Sequence, residues 1–152
     1  MEIKKLNTKP NHSSDQKFPK HFDMLVLLLN ELSEKELPEH VVDKINTRID
    51  QLNVLEEGDK NIFKAIRKAP AQILNITEKE VKLVAKNHYR NTWLVLGLSA
   101  FGIPLGHAFS MSLGNMAFVG IGMPIGMVIG MGLGTSMDKK AKTEGRQLSF
   151  EM

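Results

Sequence analysis

The chain has no cysteine, which excludes disulfide staples, thiolate nucleophiles and cysteine metal sites. From Asn91 to Met137 it also has no Asp, Glu, Lys or Arg, whereas the residues before Asn91 are dense in them. The average composition, 42% hydrophobic with a formal net charge of +3, therefore conceals two segments suited to different solvents. That weak basic excess lacks the clustered cations and reading motif of a phosphate-binding surface, so no nucleic-acid partner is expected. Absent too are a phosphate-cradling glycine loop, a nucleophile elbow, an HExxH pair and a Ser/His/Asp constellation. No enzyme, cofactor or metal is expected on these grounds. Met111, Met116, Met123, Met127 and Met131 read as fillers of irregular space beside glycines, since no cysteine or paired histidine accompanies them.

Residues 1–20 hold too few apolar side chains to offset the entropy of ordering and are expected to form a disordered tail. They contain no apolar signal core, so the part before the charge-free stretch is expected in the cytoplasm and the sequons at Asn11 and Asn75 are read as chance matches.

Residues 21–90 are expected to form a small cytoplasmic helical domain. Phe22, Leu25, Val26, Leu29 and Leu32 recur at helical spacing, and Val41, Val42, Ile45, Ile49 and Leu52 do so after a break at Pro38. Gly58 and Asp59 punctuate before a third segment with Ile62, Phe63 and Ile66, which Pro70 is expected to kink or end. Lys60, Lys64, Arg67 and Lys68 form its basic face, read as a solvated surface rather than a membrane-binding one. Glu36, Glu39, His40 and Asp43 cluster at a helix start, where acidic groups complement the dipole. Thr77-Glu78-Lys79-Glu80 has the form of a capping box, and the helix it opens is expected to run unbroken into Trp93–Phe101.

Residues 91–137 are too long for one span, since a bilayer core takes ~20 helical residues. Two spans, about Thr92–Met111 and Met116–Ser136, fit around a turn at Ser112–Asn115. Lys86 and Arg90 precede the first span, while Lys139, Lys140, Lys142 and Arg146 follow the second and the turn has no cation. The positive-inside bias then leaves both termini cytoplasmic, with residues 138–152 as a basic tail, in what is expected to be a cell inner membrane. Tyr89, Trp93, Arg90, Lys139 and Lys140 are the expected interface anchors. A buried hairpin of a soluble protein is the competing reading; helical backbone throughout favours the membrane.

Within the second span Gly122, Gly126, Gly130 and Gly134 step by four, ~400° per step, and so form a slowly winding groove. The first span carries Gly102, Gly106, Ser110 and Gly114, and GIPLGHAFSMSLG aligns with GMPIGMVIGMGLG as a candidate internal duplication. Small residues let helix backbones approach in lipid. Folding the chain about Leu113–Gly114 brings Pro104 and Pro124 to one depth as paired kinks. It sets Gly130 and Gly134 against Gly97 and Trp93, leaving a surplus of groove for another copy. His107 is the one ionisable side chain in the stretch: either a pathway group or a neutral imidazole bonded to Ser110, Ser112 or a carbonyl.

On these glycines the stretch Asn91–Leu148 resembles the glycine-zipper membrane proteins, including small two-span bacterial proteins. The resemblance implies homo-oligomeric membrane packing, sometimes a pore, and no catalytic residues. The expected fold class is all-α, a helical bundle followed by a transmembrane hairpin. The expected function is a self-associating membrane scaffold or adaptor that binds a cytoplasmic protein partner; the alternative is a homo-oligomeric pore gated by the first helices.

Overall fold

A computed structural model describes residues 2–7, 18–55 and 60–151. The Asn11 sequon, the Gly58-Asp59 punctuation and most of the expected tail lie outside the described residues. Those described are all-helical with no strand, and the chain divides between Val84 and Ala85 into two compact units.

The first unit contains α1 (Phe18–Ser33), α2 (Glu39–Asn53) and α3 (Lys60–Val81), with α3 packed on both others. Their apolar stripes make the core: Leu25, Leu28, Leu29 and Leu32 from α1, Val41, Val42, Ile45, Ile49 and Leu52 from α2, and Ile62, Ile66, Ala69, Ile73 and Leu74 from α3. Each fully buried aliphatic side chain contributes ~1.5–3 kcal/mol. Lys64, Arg67 and Lys68 face outward, and Pro38 sits at the cap position of α2.

Four expectations for this unit are corrected, the first in part. Of the kink or end expected at Pro70, the end does not occur; α3 continues through it. The ~3 kcal/mol an interior proline costs is outweighed by burial of Ile66, Ala69, Ile73 and Leu74 on either side. Thr77 caps no helix start. It is buried inside α3, where its hydroxyl lies 3.0 Å from the Leu74 carbonyl and 3.1 Å from that of Leu83. The helix from Thr77 does not run into the apolar stretch either. Lys82 turns left-handed (φ 55°), Leu83 N–H returns to the Thr77 carbonyl at 3.2 Å, and Asn87 is left-handed again (φ 61°). The tail reading also fails at residues 2–7, which hydrogen-bond to α2.

The second unit is a hairpin. α4 (His88–Gly97) passes through a π turn (Leu98–Gly102) into α5 (Ile103–Leu113) as one continuous helix. A 3₁₀ turn (Met116–Phe118) then leads into α6 (Val119–Thr143). Gly114 closes α5 in the left-handed conformation (φ 62°), and the Asn115 side chain accepts the Ala117 N–H at 2.9 Å to start the return. α6 closes with Gly145 at φ 69°: Arg146 N–H bonds the Ala141 carbonyl and Gly145 N–H that of Lys142. Residues 146–151 then fold back rather than trail as a tail. Leu148 and Phe150 are buried, and the Phe150 carbonyl accepts the Lys86 N–H at 2.8 Å. The Asn87 side-chain amide donates to the Glu151 carboxylate at 2.7 Å and, with Lys86 beside it, holds that carboxyl below its usual range.

Candidate functional site, the glycine-packed hairpin

The helices of the hairpin meet through backbone. A methyl group placed on Gly126 would lie 2.5 Å from the Gly102 nitrogen, and one on Gly134 would lie 2.6 Å from the Arg90 Cα. Gly122 meets Gly102 and Gly106, Gly130 meets Trp93 and Gly97, and Gly106 meets Val119. Every α6 glycine of the four-step row therefore has a partner within its own hairpin. The surplus expected at Gly130 and Gly134 does not exist, because the first helix begins at His88 and its backbone from Tyr89 to Trp93 fills the groove. Gly114 is no packing residue: it has open space around it and serves the turn. Ser110 is a packing residue, 4% exposed, with its hydroxyl 3.4 Å from the Met116 sulfur.

The π turn explains how the first helix supplies its face. Gly97 and Gly102 are five residues apart, a step that in a regular α-helix leaves them ~140° out of line. The wide turn Leu98–Gly102, closed by the Ile103 N–H on the Leu98 carbonyl, absorbs the extra residue, and both glycines are buried against α6. It ends just before Pro104, whose missing N–H leaves the regular hydrogen-bond ladder interrupted there in any case. Pro124, by contrast, sits inside an uninterrupted α6. Both prolines are exposed on outward faces, so they take no part in the helix contact. His107 also faces outward, away from the Ser110 side of α5.

One residue that the charge pattern did not single out completes the contact. Asp138 continues the α6 row one step beyond Gly134 and is 7% exposed. Its carboxylate oxygens accept the backbone N–H groups of Tyr89 (3.1 Å) and Arg90 (2.9 Å). Those are donors left open at the start of α4, where Asn87 makes no side-chain cap. Gln147 adds a donor at 3.4 Å to the same carboxylate. The four-residue period of the glycines, extended by one step, was the available signal. Lys139 and Lys140 stay exposed beside it, and Lys140 approaches Glu144 at 4.0 Å.

The outward surface is apolar. Val95 (63% exposed), Ile103 (52%) and Val128 (72%) stand with Phe101, Phe109, Ile121, Met123 and Leu133 around a buried interior of glycine. Helices 88–113 and 116–143 are both long and apolar enough to cross a membrane. Among the described residues no group of histidine and acidic side chains is arranged to hold a metal ion. Comparison with protein-family models, with curated proteins and with solved structures gives no match, so the reading of this site rests on its own geometry.

Proposed function

We propose that the protein is a membrane-anchored adaptor: the hairpin crosses a bacterial inner membrane twice, and the three-helix unit presents a binding surface in the cytoplasm. The observation that carries the anchor is the inverted hairpin, glycine inside and large apolar side chains outside. In water that surface would be costly, at roughly 25 cal/mol per Å² of apolar area. In lipid it costs nothing, and close backbone contact becomes the main source of helix association. Arg90, Lys139, Lys140 and Lys142 gather at the open end of the hairpin with Tyr89 and Trp93, and the 114–118 turn has no cation, which supports both termini in the cytoplasm.

Flotation tests the anchor. The protein should rise with liposomes after a high-pH carbonate wash; full release into the wash would end the membrane reading. Cysteines introduced at Asn115 and Ser149 report topology, with Asn115 labelled from outside and Ser149 only after permeabilisation. Reversed labelling would invert the proposed orientation.

Self-association, the property implied by likeness to glycine zippers, falls on this reading to the outward face of α6, where Gly120 and Gly132 have open space. A detergent-corrected monomer mass would remove it. The pore alternative draws on the outward positions of Ser99 and His107. It requires several copies, because the interior of one hairpin is filled backbone to backbone. Reproducible absence of conductance in planar bilayers would dismiss it.

A further inference from the structure

Residues 2–7 make a regular set of bonds with α2. The Asn46 side chain accepts the Lys4 N–H at 2.8 Å and donates to the Glu2 carbonyl at 3.0 Å. Asn53, seven residues on, repeats the pattern: it accepts the Asn7 N–H at 2.9 Å and donates to the Lys5 carbonyl at 3.2 Å. Each amide thus brackets one residue, taking the carbonyl before it and the N–H after it. The bracketed residues are Ile3 and Leu6, the two of the segment that are half-buried. The register has a simple origin. Seven helical residues rise ~10.5 Å, and three extended residues span ~10 Å, so an extended chain running parallel to α2 meets an asparagine at every third residue.

The other wall of this groove is α1. Ile3 and Leu6 line a space of about 300 Å³ together with Phe22, Val26 and Leu29. Between the two brackets the Lys4 ammonium lies 2.7 Å from the Asp50 carboxylate, both half-exposed. The two bracketed side chains and Lys4 are read as side chains, and the amides of Asn46 and Asn53 read backbone. Backbone hydrogen bonds supply affinity for any extended chain, and side-chain positions select among them. With the segment in place Asn46 is 7% exposed and both ends of its amide are paired.

We propose that the α1–α2 groove is a binding site for an extended peptide segment of a partner protein, with apolar residues at two positions three apart and a lysine or arginine between them. Residues 2–7 occupy it as an intramolecular stand-in. Asn46 and Asn53 bracket the partner's backbone, Asp50 pairs with its cation, and the α1 wall receives its two apolar side chains. The tethered segment competes at an effective concentration that falls in the millimolar range for short linkers, so a partner must exceed that or act when the segment is withdrawn. This inference deepens the adaptor reading by naming the surface and the class of partner.

The test uses the full chain in detergent and a fluorescently labelled peptide with the sequence of residues 2–7. Deleting residues 2–7 from the chain should create saturable binding, ~10-fold or more tighter than to the intact chain. Lys4→Glu in the intact chain should open the groove to the same peptide without deletion, which covers failure of the deleted chain to fold. In the deleted chain, or in an intact chain whose own segment is weakened by Ile3→Asp and Leu6→Asp if the deleted chain does not fold, Asp50→Lys should weaken the wild-type peptide and favour a peptide carrying Lys4→Glu. Asp50 is half-exposed, so that exchange leaves the core alone. No binding to a folded chain with the segment deleted or weakened would overturn the proposal, as would affinity indifferent to the charge exchange. A dimer of the intact chain that becomes monomeric on deletion would assign the groove to a second copy and also overturn it. Flotation is read separately: peptide binding without flotation removes the anchor and keeps the groove, and flotation without peptide binding does the reverse.

Discussion

The carboxylate of Asp138 accepts the backbone N–H of Arg90 at 2.9 Å and so joins the last turns of α6 to the first turn of α4 across 48 residues of chain. The bond sets register as well as stability. A glycine groove alone permits sliding, because every step presents the same backbone to its partner. A buried carboxylate that must meet two N–H groups permits one alignment, the one in which Gly134 faces Arg90 and Gly126 faces Gly102.

Asp138→Ala should therefore destabilise the hairpin by ~1–3 kcal/mol, the range for losing an N-cap acceptor with charge-assisted bonds. Asp138→Asn, which keeps one oxygen acceptor, should lose less. Thermal unfolding in detergent, followed by circular dichroism, gives the order. Equal melting points for Asp138→Ala and wild type would mean the bonds are not formed.

Gly126→Leu should separate the two helices, because the new side chain would enter the space held by the Gly97 carbonyl and the Gly102 nitrogen. Gly132→Leu should be tolerated in the monomer, since nothing lies within 4 Å of that position. The chain has no native cysteine, so spin labels on cysteines introduced at Ser99 and Val128 report the separation directly. The distance should lengthen and broaden in Gly126→Leu and stay as in wild type in Gly132→Leu. The opposite order would refute the helix contact described here.

Thr77→Val should cost about 1–2 kcal/mol while leaving the shape of the core intact, because it removes a buried hydroxyl donor and strands carbonyl groups of Leu74 or Leu83. A capping role would instead have been exposed and rescued by Ser or Asp. Denaturant midpoints for Thr77→Val, Thr77→Ser and Thr77→Asp separate the two; Asp should be the worst of the three at this buried position.

Glu80 ties the end of α3 to α2. Its hydrogen bond and charge interaction with Lys44, with His40 at 3.4 Å, hold its carboxyl below the ordinary 4.5. A depressed folded-state value means that its contribution is present above the unfolded-state value and is lost as pH falls through the lower, folded one. Stability should thus decline on acidification below pH ~4.5 with a part that Glu80→Gln abolishes. The group is solvated, so the part is small and should shrink further in high salt. Urea midpoints of both proteins across that range give the comparison, and an unchanged acid slope in Glu80→Gln would discount the pair.

Much of the architecture was legible in the residues. The stripes of α1 and α2 named most of their core, and the charge-free stretch with Ser112–Asn115 at its centre located the hairpin. Periodicity and composition act locally, so a reader of sequence meets them directly. Pro70 and Thr77 misled for the same reason: each carries a strong local preference, and in α3 the burial around them outweighs it. The groove on α2 was hidden because Asn46 and Asn53 look like ordinary polar positions until residues 2–7 lie along them.

By itself, then, the sequence determined that the chain is helical, where its apolar stretch turns back, and that one face of each returning helix lacks side chains. These follow from repeating patterns within ten or so residues of chain. Only the tertiary structure decided what the glycine groove meets within the hairpin. Gly130 and Gly134 are answered by Trp93, Arg90 and Tyr89, the π turn at Leu98–Gly102 brings Gly97 into line, and Asp138 fixes the alignment. Contacts of that kind depend on where a second helix starts and how it is wound, and a glycine carries no side chain from which its partner can be read.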